Sequence, residues 1–341
     1  MSQGAGLLDL QVNGYAGVDF NDAGLTAAAL DHALEAMLLA GVTACLPTLI
    51  TADEPTLAAR LSALDAAVAE SRLGPPMVPG FHLEGPFLNP APGYAGCHPA
   101  DSMVPPNIAL LDRLSRDLRR PILLLTLAPE QPGALALIET ARARGMVVAM
   151  GHTAADITMT DAAVAAGVTL STHLGNALPQ PQPKFLNPLM AQLAQDRLHA
   201  SFIADGIHIP PTALKVMLRA KTPARSILVT DATSAAAAPS GLYNFAGMAI
   251  EHASDGSVRV PGSTTLAGSA LTLDCAVRNV VGWGLADWDV ARGMASTQPA
   301  ALLAPGLHHH GIALSHADIA WDGAGYATRI RLGPIDIRPD R

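Results

Sequence analysis

One pattern recurs along the chain and limits the folds it can adopt: a short apolar run, a polar cluster, then an Ala/Leu-rich amphipathic stretch. The apolar runs are too short for helices and suit strands that are buried on both faces. Eight such runs occur, at residues 7–12, 43–48, 78–83, 122–127, 147–150, 170–174, 200–203 and 226–230. Strands that alternate with helices form a parallel sheet, and eight units predict a closed (β/α)8 barrel, an α/β fold.

The stretches between the apolar runs predict the helices that cover this barrel. Gly41, Gly145 and Gly167 stand where the chain must leave a helix in the left-handed conformation, which glycine adopts without strain. The predicted helices lie at about residues 25–40, 55–72, 106–119, 132–144, 160–166, 188–196, 211–221, 267–283 and 287–303. We therefore assign residues 6–305 to the barrel.

The C-terminal tail, residues 306–341, departs from the repeat. Its alternating stretch at residues 326–332 predicts short strands, which would form a reduced β appendage, a vestigial β-sandwich. The tail also contains three consecutive histidines, His308, His309 and His310. Three adjacent side chains cannot all face one ion, so we expect a solvated loop there rather than a metal site.

Composition argues against several partners. Half of the residues are hydrophobic and the formal net charge is −8, so the chain lacks the basic surface that nucleic acid requires. Cys45, Cys97 and Cys275 are widely spaced and odd in number, which predicts free thiols in a reducing compartment. We see no signal-peptide pattern and no uninterrupted apolar stretch of ~18 residues, so we expect no membrane span. The expectation is a cytoplasmic protein.

Polar side chains stand at the predicted carboxyl ends of the strands, where a (β/α)8 barrel builds its active site. The residues at these ends are Gln11, Asn13, His82, Glu84, His152, His173, Asp205, His208 and Asp231. Any one of them alone would be an ordinary hydrogen-bonding group. Together they predict one shared site at the mouth of the barrel.

Three of these side chains have the chemistry of a metal site. Glu84, His152 and His173 offer one carboxylate and two imidazoles, a set that binds a catalytic divalent metal and leaves positions open. Such an ion activates water and polarises a carbonyl group. Asp231 can carry the proton from that water to a leaving amine, and His208 can donate to the oxyanion. The residues therefore predict a metal-dependent amidohydrolase.

Several segments together resemble a known family. The motifs LLDLQVNGYAGVDFND, HLEGPFLNP, GHT, STHLGNALP, ADGIHI, LVTDAT and TLAGSALTL occur in the order, and with roughly the spacing, of N-acetylglucosamine-6-phosphate deacetylases, members of the amidohydrolase superfamily. The resemblance covers residue 6 to about residue 305. It implies a small-molecule substrate, an N-acetylated amino sugar, whose acetyl group is released as acetate.

The resemblance also implies roles for individual residues. The family's metal ligands and its acid/base match Glu84, His152, His173 and Asp231. The residues that match its substrate contacts are His208, Asn176, Ala177 and Leu266. Of these, Leu266 matches the residue beside the acyl group.

Gln11 and Asn13 stand where other amidohydrolases carry a His-x-His pair. An uncharged amide is a poor ligand for a second ion, so these residues are interpreted as the remnant of a second metal site. We therefore expect one tightly held divalent ion, zinc.

Two departures from the family pattern affect the substrate. The family carries a Gly-Arg-Glu-Pro-Gly-like run whose Arg grips the sugar phosphate, often across a dimer interface, whereas here a proline-rich run places Lys184 at that offset after His173. The segment at residues 93–103 differs from the family's Lys-Gly-x-His form, with His98 in the place of that histidine. Lys184 and His98 are thus candidate phosphate contacts, and the resemblance implies a homodimer. The family's N-terminal sandwich segment is nearly absent, which is why the β appendage should be reduced.

Three hypotheses for function remain open from the sequence. The first is a deacetylase of an N-acetylhexosamine 6-phosphate. The second keeps the metal chemistry but acts on an unphosphorylated N-acyl sugar or another small amide, which the altered phosphate segment favours. The third is a non-catalytic sugar-binding barrel, which would not need the set Glu84, His152, His173 and Asp231.

Overall fold

Short strands and helices alternate through the computed structural model, which describes residues 2–339. The strands are, in chain order, β1 (Ser2–Gly4), β2 (Leu7–Val12), β3 (Gly14–Tyr15), β4 (Val18–Asp19), β5 (Val42–Ile50), β6 (Phe81–Glu84), β7 (Ile122–Leu127), β8 (Val147–Met150), β9 (Val168–Ser171), β10 (His199–Ile203), β11 (Ser226–Val229), β12 (Gly241–Phe245), β13 (Met248–His252), β14 (Val258–Arg259), β15 (Ala317–Trp321), β16 (Ala327–Leu332) and β17 (Ile335–Ile337). The helices are α1 (Ala27–Leu39), α2 (Glu54–Glu70), α3 (Gly74–Met77), α4 (Ile108–Ser115), α5 (Ala134–Ala143), α6 (Ile157–Ala166), α7 (Pro188–Ala194), α8 (Pro211–Lys221), α9 (Leu273–Gly282), α10 (Trp288–Met294) and α11 (Thr297–His309).

Eight parallel strands form the predicted barrel, in the order β2, β5, β6, β7, β8, β9, β10, β11. The first and last strands meet through a parallel bridge between Val12 and Ala232. Backbone bonds continue this seam, from Asn13 N to Ala232 O at 2.7 Å and from Asp231 N to Gln11 O at 2.9 Å. The seam closes the sheet and brings the polar ends of its first and last strands together.

The barrel strands are buried on both faces, as their composition predicts. β2, β5 and β7 are buried along their whole length. The apolar runs predicted at 7–12, 122–127 and 147–150 coincide with β2, β7 and β8, and the other runs differ from their strands by up to three residues at either end. Strand ends are the least predictable positions, because they depend on which residue still pairs with a neighbouring strand.

Side chains at the helix starts explain where most helices begin. A side-chain oxygen accepts a hydrogen bond from the backbone N–H three residues further on at Thr26, Asp53, Asn107, Asp156, Asn187 and Asp287. Gly41 and Gly145 follow α1 and α5 with φ of +86° and +79°, which confirms the predicted left-handed exits. None of the helices within residues 2–339 combines the length and apolar character that a membrane span needs.

The segment after β11 differs from the prediction. Strands β12, β13 and β14 form an antiparallel sheet there, which the sequence analysis did not anticipate because β12 and β13 are short and largely exposed. Helix α9 begins at Leu273 rather than near residue 267. The single helix predicted at 287–303 is in fact two helices, α10 and α11, because the backbone leaves the helical conformation at Ser296 (φ −137°, ψ −74°).

The described ends of the chain meet in the predicted β appendage. Its sheet has the strand order β1, β15, β16, β17, and all neighbouring strands are antiparallel. The expected loop at the three histidines is wrong: His308 and His309 form the last turn of α11, although all three side chains are exposed. The predicted domain boundary after residue 305 falls inside α11 and stays a prediction, and residues 340 and 341 of the tail lie outside the described chain.

Candidate active site

Six of the nine polar residues at the predicted strand ends line a cavity of about 640 Å3 at the mouth of the barrel, whereas Gln11, His82 and Asp205 are not in its lining. Glu84 is the last residue of β6, whereas His152, His173 and Asp231 each stand two residues beyond β8, β9 and β11. All four side chains line this cavity. The barrel therefore brings together the predicted metal ligands and the predicted proton carrier from four separate segments.

Glu84, His152 and His173 point three ligand atoms at one another. His173 Nε2 lies 3.0 Å from Glu84 Oε1 and 3.2 Å from His152 Nε2, and His152 Nε2 lies 3.4 Å from Glu84 Oε1. Ligand atoms held ~2.0–2.1 Å from a tetrahedral zinc are about 3.3–3.4 Å apart. The three observed distances therefore fit the edges of one metal coordination shell.

The tautomer of His152 agrees with a ligand role. Its Nδ1 lies 2.7 Å from the carbonyl oxygen of Tyr94, which can only accept a hydrogen bond, so the Nδ1 atom carries the proton. In the neutral ring, Nε2 then presents a lone pair to Glu84 and His173. A backbone carbonyl that orients a histidine in this way is typical of metal sites.

His98 lies beside this triad. Its Nδ1 is 2.9 Å from Thr51 Oγ1, its Nε2 is 3.6 Å from Glu84 Oε2, and its ring centroid is 4.5 Å from that of His152. Ligand atoms of Glu84, His98 and His152 all lie within 4.8 Å of one another. Burial and the neighbouring His152 lower the pKa of His98 to about 4, so its ring is neutral and able to coordinate. The structure thus places this predicted substrate contact against the candidate metal ligands.

Three of the site residues adopt a strained backbone. The three are His152, His173 and Asp231 of the predicted catalytic set, with φ of +51°, +30° and +49° in the left-handed region, and the cavity-lining Ala177 shares this conformation with φ of +50°. For residues with a Cβ atom this conformation costs ~1–2 kcal/mol each, and it persists mainly where function requires it. The residues next to them in the sequence do not predict this backbone conformation.

Gln11 and Asn13 donate hydrogen bonds to the carboxylates of the site. Gln11 Nε2 donates to Glu84 Oε2 and to Asp231 Oδ1, both at 3.1 Å. Asn13 Nδ2 donates to the same Asp231 oxygen at 2.8 Å. Both side chains thus direct amide N–H groups, which cannot ligate a cation, at the carboxylates, and the absence of a second metal stays a prediction.

The two carboxylates have different electrostatic environments. Burial alone would raise the pKa of Glu84, but its interactions with the neighbouring His152, His173 and His98 rings outweigh burial and lower that pKa well below its usual range. Burial and the nearby Glu84 charge raise the pKa of Asp231 to about 6, against the lowering effects of His173 and Asn13. Glu84 thus remains an anionic ligand, whereas Asp231 can exchange a proton near neutral pH.

His208 is oriented by Asp205, a partner that sequence reasoning did not assign. His208 Nδ1 lies 2.6 Å from Asp205 Oδ2, and Asp205 Oδ1 accepts the backbone N–H of Ile207 and of His208 at 2.8 Å. Burial would raise the pKa of Asp205, but these bonds from His208 and Ile207 lower it. The feature of the sequence that could have identified Asp205 is its position three residues before His208 on the same short turn.

The remaining predicted substrate residues fall into two groups. Asn176, Ala177 and Leu266 line the cavity. Lys184 is exposed and lies outside the cavity lining. The described chain therefore does not bring Lys184 to its own site.

Further lining residues were missed because they come from unpredicted segments. Phe245 belongs to the unexpected strand β12, and Thr264 and Thr265 follow the same sheet. An apolar residue and two hydroxyl residues in a loop have no distinctive spacing, so the sequence alone could not identify them.

Comparison with known proteins gives one consistent result. No protein-family model matches the chain. An N-acetylglucosamine-6-phosphate deacetylase of Bacillus subtilis (strain 168) is 32% identical over 296 residues, 84% of this chain and 72% of the relative. An N-acetylgalactosamine-6-phosphate deacetylase of Escherichia coli O157:H7 is 34% identical over 300 residues, 87% of this chain and 76% of the relative.

The fold agrees with these relatives. The crystal structure of N-acetyl-D-glucosamine-6-phosphate deacetylase from Mycobacterium smegmatis superimposes with a TM-score of 0.85 at 28% identity, covering 97% of this chain and 86% of that one. Sequence identity above 30% over most of both chains, together with the shared barrel, confirms the resemblance found in the motifs. The chain belongs to the N-acetylglucosamine-6-phosphate deacetylase family of amidohydrolases.

Proposed function

We propose that the chain hydrolyses the N-acetyl group of an N-acetylhexosamine 6-phosphate and releases acetate and the amino sugar phosphate. The observation that carries this proposal is the set of ligand atoms from Glu84, His152 and His173, 3.0–3.4 Å apart, in the same cavity as Asp231. Relatives of this chain are named as deacetylases of N-acetylglucosamine 6-phosphate and of N-acetylgalactosamine 6-phosphate. The intact catalytic set argues against a non-catalytic sugar-binding barrel.

The chain's own residues can supply the proton transfers. Glu84, His152 and His173 would hold a divalent ion, which activates water and polarises the scissile carbonyl when bound. Gln11 and Asn13 both donate to Asp231 Oδ1, so we assign Oδ2 to the proton. Asp231 takes that proton from the attacking water and delivers it to the nitrogen of the leaving amine.

His208 is the donor that we assign to the developing oxyanion. Its Nδ1–H donates to Asp205, so Nε2 is the ring atom left for the substrate. The Asp205 carboxylate accepts from Nδ1 and so fixes the orientation of the ring. Asp205 is therefore a positioning residue that acts through His208.

Replacing Asp205 by Ala should lower kcat/KM about 10–100-fold, because His208 loses the acceptor that orients its ring. Asp205→Asn keeps an oxygen that can accept from Nδ1 and should lose less. Acetate release, measured over a range of pH, distinguishes the two variants. An Asp205→Ala variant with a native circular dichroism spectrum and wild-type kcat/KM would show that His208 needs no such partner.

The residues available to bind the substrate's phosphate support a second candidate function. Among residues 2–339, no Lys or Arg lines the active-site cavity, and Lys184 is exposed outside it. A sugar phosphate carries nearly two negative charges and needs cationic donors. This observation favours an unphosphorylated N-acyl sugar as the alternative, unless a second copy of the chain supplies Lys184.

Acetate release from phosphorylated and unphosphorylated N-acetylhexosamines tests the two candidates. For the first candidate, kcat/KM should be higher for the 6-phosphate, and Lys184→Ala should raise KM for that substrate far more than for its unphosphorylated analogue. Lys215→Ala, on the outer helix α8, is the matched control. A wild-type chain without phosphate preference would make the unphosphorylated substrate the leading candidate. A preference that survives Lys184→Ala would transfer the phosphate contact to another group.

The proposal also covers the identity of the metal ion, the oligomeric state and the cellular location of the protein. Zinc is the proposed ion, since one carboxylate and two imidazoles suit it. A homodimer is supported by the exposed Phe185 and Leu186, which are 75% and 78% exposed directly beside Lys184. The free thiols of Cys45, Cys97 and Cys275 support a cytoplasmic location.

A further inference from the structure

A second cavity lies at the opposite end of the barrel from the active site. Its volume is about 1000 Å3, larger than the 640 Å3 of the active-site cavity. Its lining includes Pro121 and Ile122 at the start of β7, and Met146, directly before β8. The active-site residues follow the other ends of the strands, so the length of the barrel separates the two cavities.

Positive charge dominates the lining of this second cavity. Arg116, Arg119, Arg120 and Arg144 line it, and Asp112 is the acidic residue among its described lining residues. The chain as a whole has a formal net charge of −8, so the net charge of this lining is opposite in sign to that of the whole chain. Four guanidinium groups around one space repel one another, and a bound anion would relieve that repulsion.

The backbone that carries two of these arginines is anchored. The buried Asp65 carboxylate accepts hydrogen bonds from the backbone N–H of Arg119 at 3.1 Å and of Arg120 at 3.0 Å. Arg119 Nη1 also lies 3.7 Å from Asp65 Oδ2. The two side chains therefore extend from a segment that is held in place before any ligand binds.

Much of the donor capacity of these arginines is not used within residues 2–339. Arg144 Nη1 pairs with Asp112 Oδ1 at 2.5 Å, and Arg120 Nη2 donates to Pro75 O at 3.2 Å. The Arg116 side chain has no hydrogen bond or ion pair with another described residue. Because each guanidinium has five N–H donors, most of those on Arg116 and Arg120 are available to a ligand.

We infer that this cavity binds a small polyanion of the phosphorylated-metabolite class. Guanidinium groups bind phosphate oxygens through paired, charge-assisted hydrogen bonds. The cavity volume lies at the upper end of the ~300–1000 Å3 typical of small-molecule sites. No active-site residue takes part, so the inference does not depend on the proposed function.

Isothermal titration of the metal-loaded full chain with inorganic pyrophosphate tests this inference. The wild type should bind, and the Arg116→Ala/Arg120→Ala double variant should bind about tenfold or more weakly. Arg72→Ala/Arg329→Ala is the matched control, since it removes two exposed guanidinium groups outside the cavity and should bind like the wild type. His152→Ala separates this cavity from the active site and should retain binding.

Three kinds of result would overturn the inference. The first is a wild-type chain that does not bind pyrophosphate, or a double variant of Arg116 and Arg120 that binds it with unchanged affinity. The second is binding that disappears in His152→Ala, which would locate the anion at the active site. Equal weakening in the Arg72→Ala/Arg329→Ala control would indicate a general charge effect and would also overturn the assignment.

Discussion

Asp231→Asn is expected to keep the fold and the bound metal but to lower kcat by about 10²–10⁴-fold, the range that general acid/base catalysis contributes. Asn retains an oxygen that can accept hydrogen bonds from Gln11 and Asn13, the partners of Asp231 Oδ1. It replaces the second oxygen by an amide nitrogen, which cannot take up a proton from water. The substitution is nearly isosteric, so packing around this partly buried position should change little.

The comparison for Asp231→Asn needs a kinetic and a structural measurement. Acetate release gives kcat, and elemental analysis with circular dichroism reports metal content and fold. Asp117→Asn is a suitable control, because Asp117 is an exposed carboxylate that is not one of the site residues. Wild-type kcat in Asp231→Asn at neutral pH would remove Asp231 from the proton-transfer role.

His152→Ala is expected to lose both the metal ion and turnover. The variant leaves two ligands, Glu84 and His173, where the wild type presents three ligand atoms 3.0–3.4 Å apart. Two ligands hold a divalent ion much more weakly than three, and without the ion no activated water forms. Activity should therefore fall to background.

Elemental analysis of protein purified without chelator checks the metal directly. The wild type should contain about one divalent ion per chain, and His152→Ala almost none. His32→Ala, an exposed histidine on α1, should match the wild type. Two ions bound with similar affinity, and both required for activity, would contradict the single-metal prediction made from Gln11 and Asn13.

The barrel could be predicted from local sequence because each unit carries its own signal. A short apolar run such as 122–127, bounded by polar residues, favours a buried strand, and side chains such as Asp53 and Asn107 favour the start of a helix. The sheet of β12 to β14 was not predictable in this way. Its strands are short, and each buries a single residue (Phe245, Ile250 and Val258), so no apolar run marks them in the sequence.

The active site was predictable to the extent that it follows from strand ends. Glu84, His152, His173 and Asp231 each stand at or just after a strand, and parallel strands place those positions at one mouth. His98 has no such signal, because it lies in the long segment between β6 and α4. Only the fold brings it to 3.6 Å from Glu84 Oε2.

The sequence by itself determined the fold class, the family and the chemical identity of the metal-binding set, since these depend on periodicity and residue type. Tertiary structure alone decided three things: the distances within the triad, the Asp205 contact that orients His208, and the separation of Lys184 from the cavity. The physical reason is that each of these depends on contacts between segments remote in the chain or on the path of a loop. The local hydrophobic pattern of the sequence carries no information about such contacts or about the path of a loop.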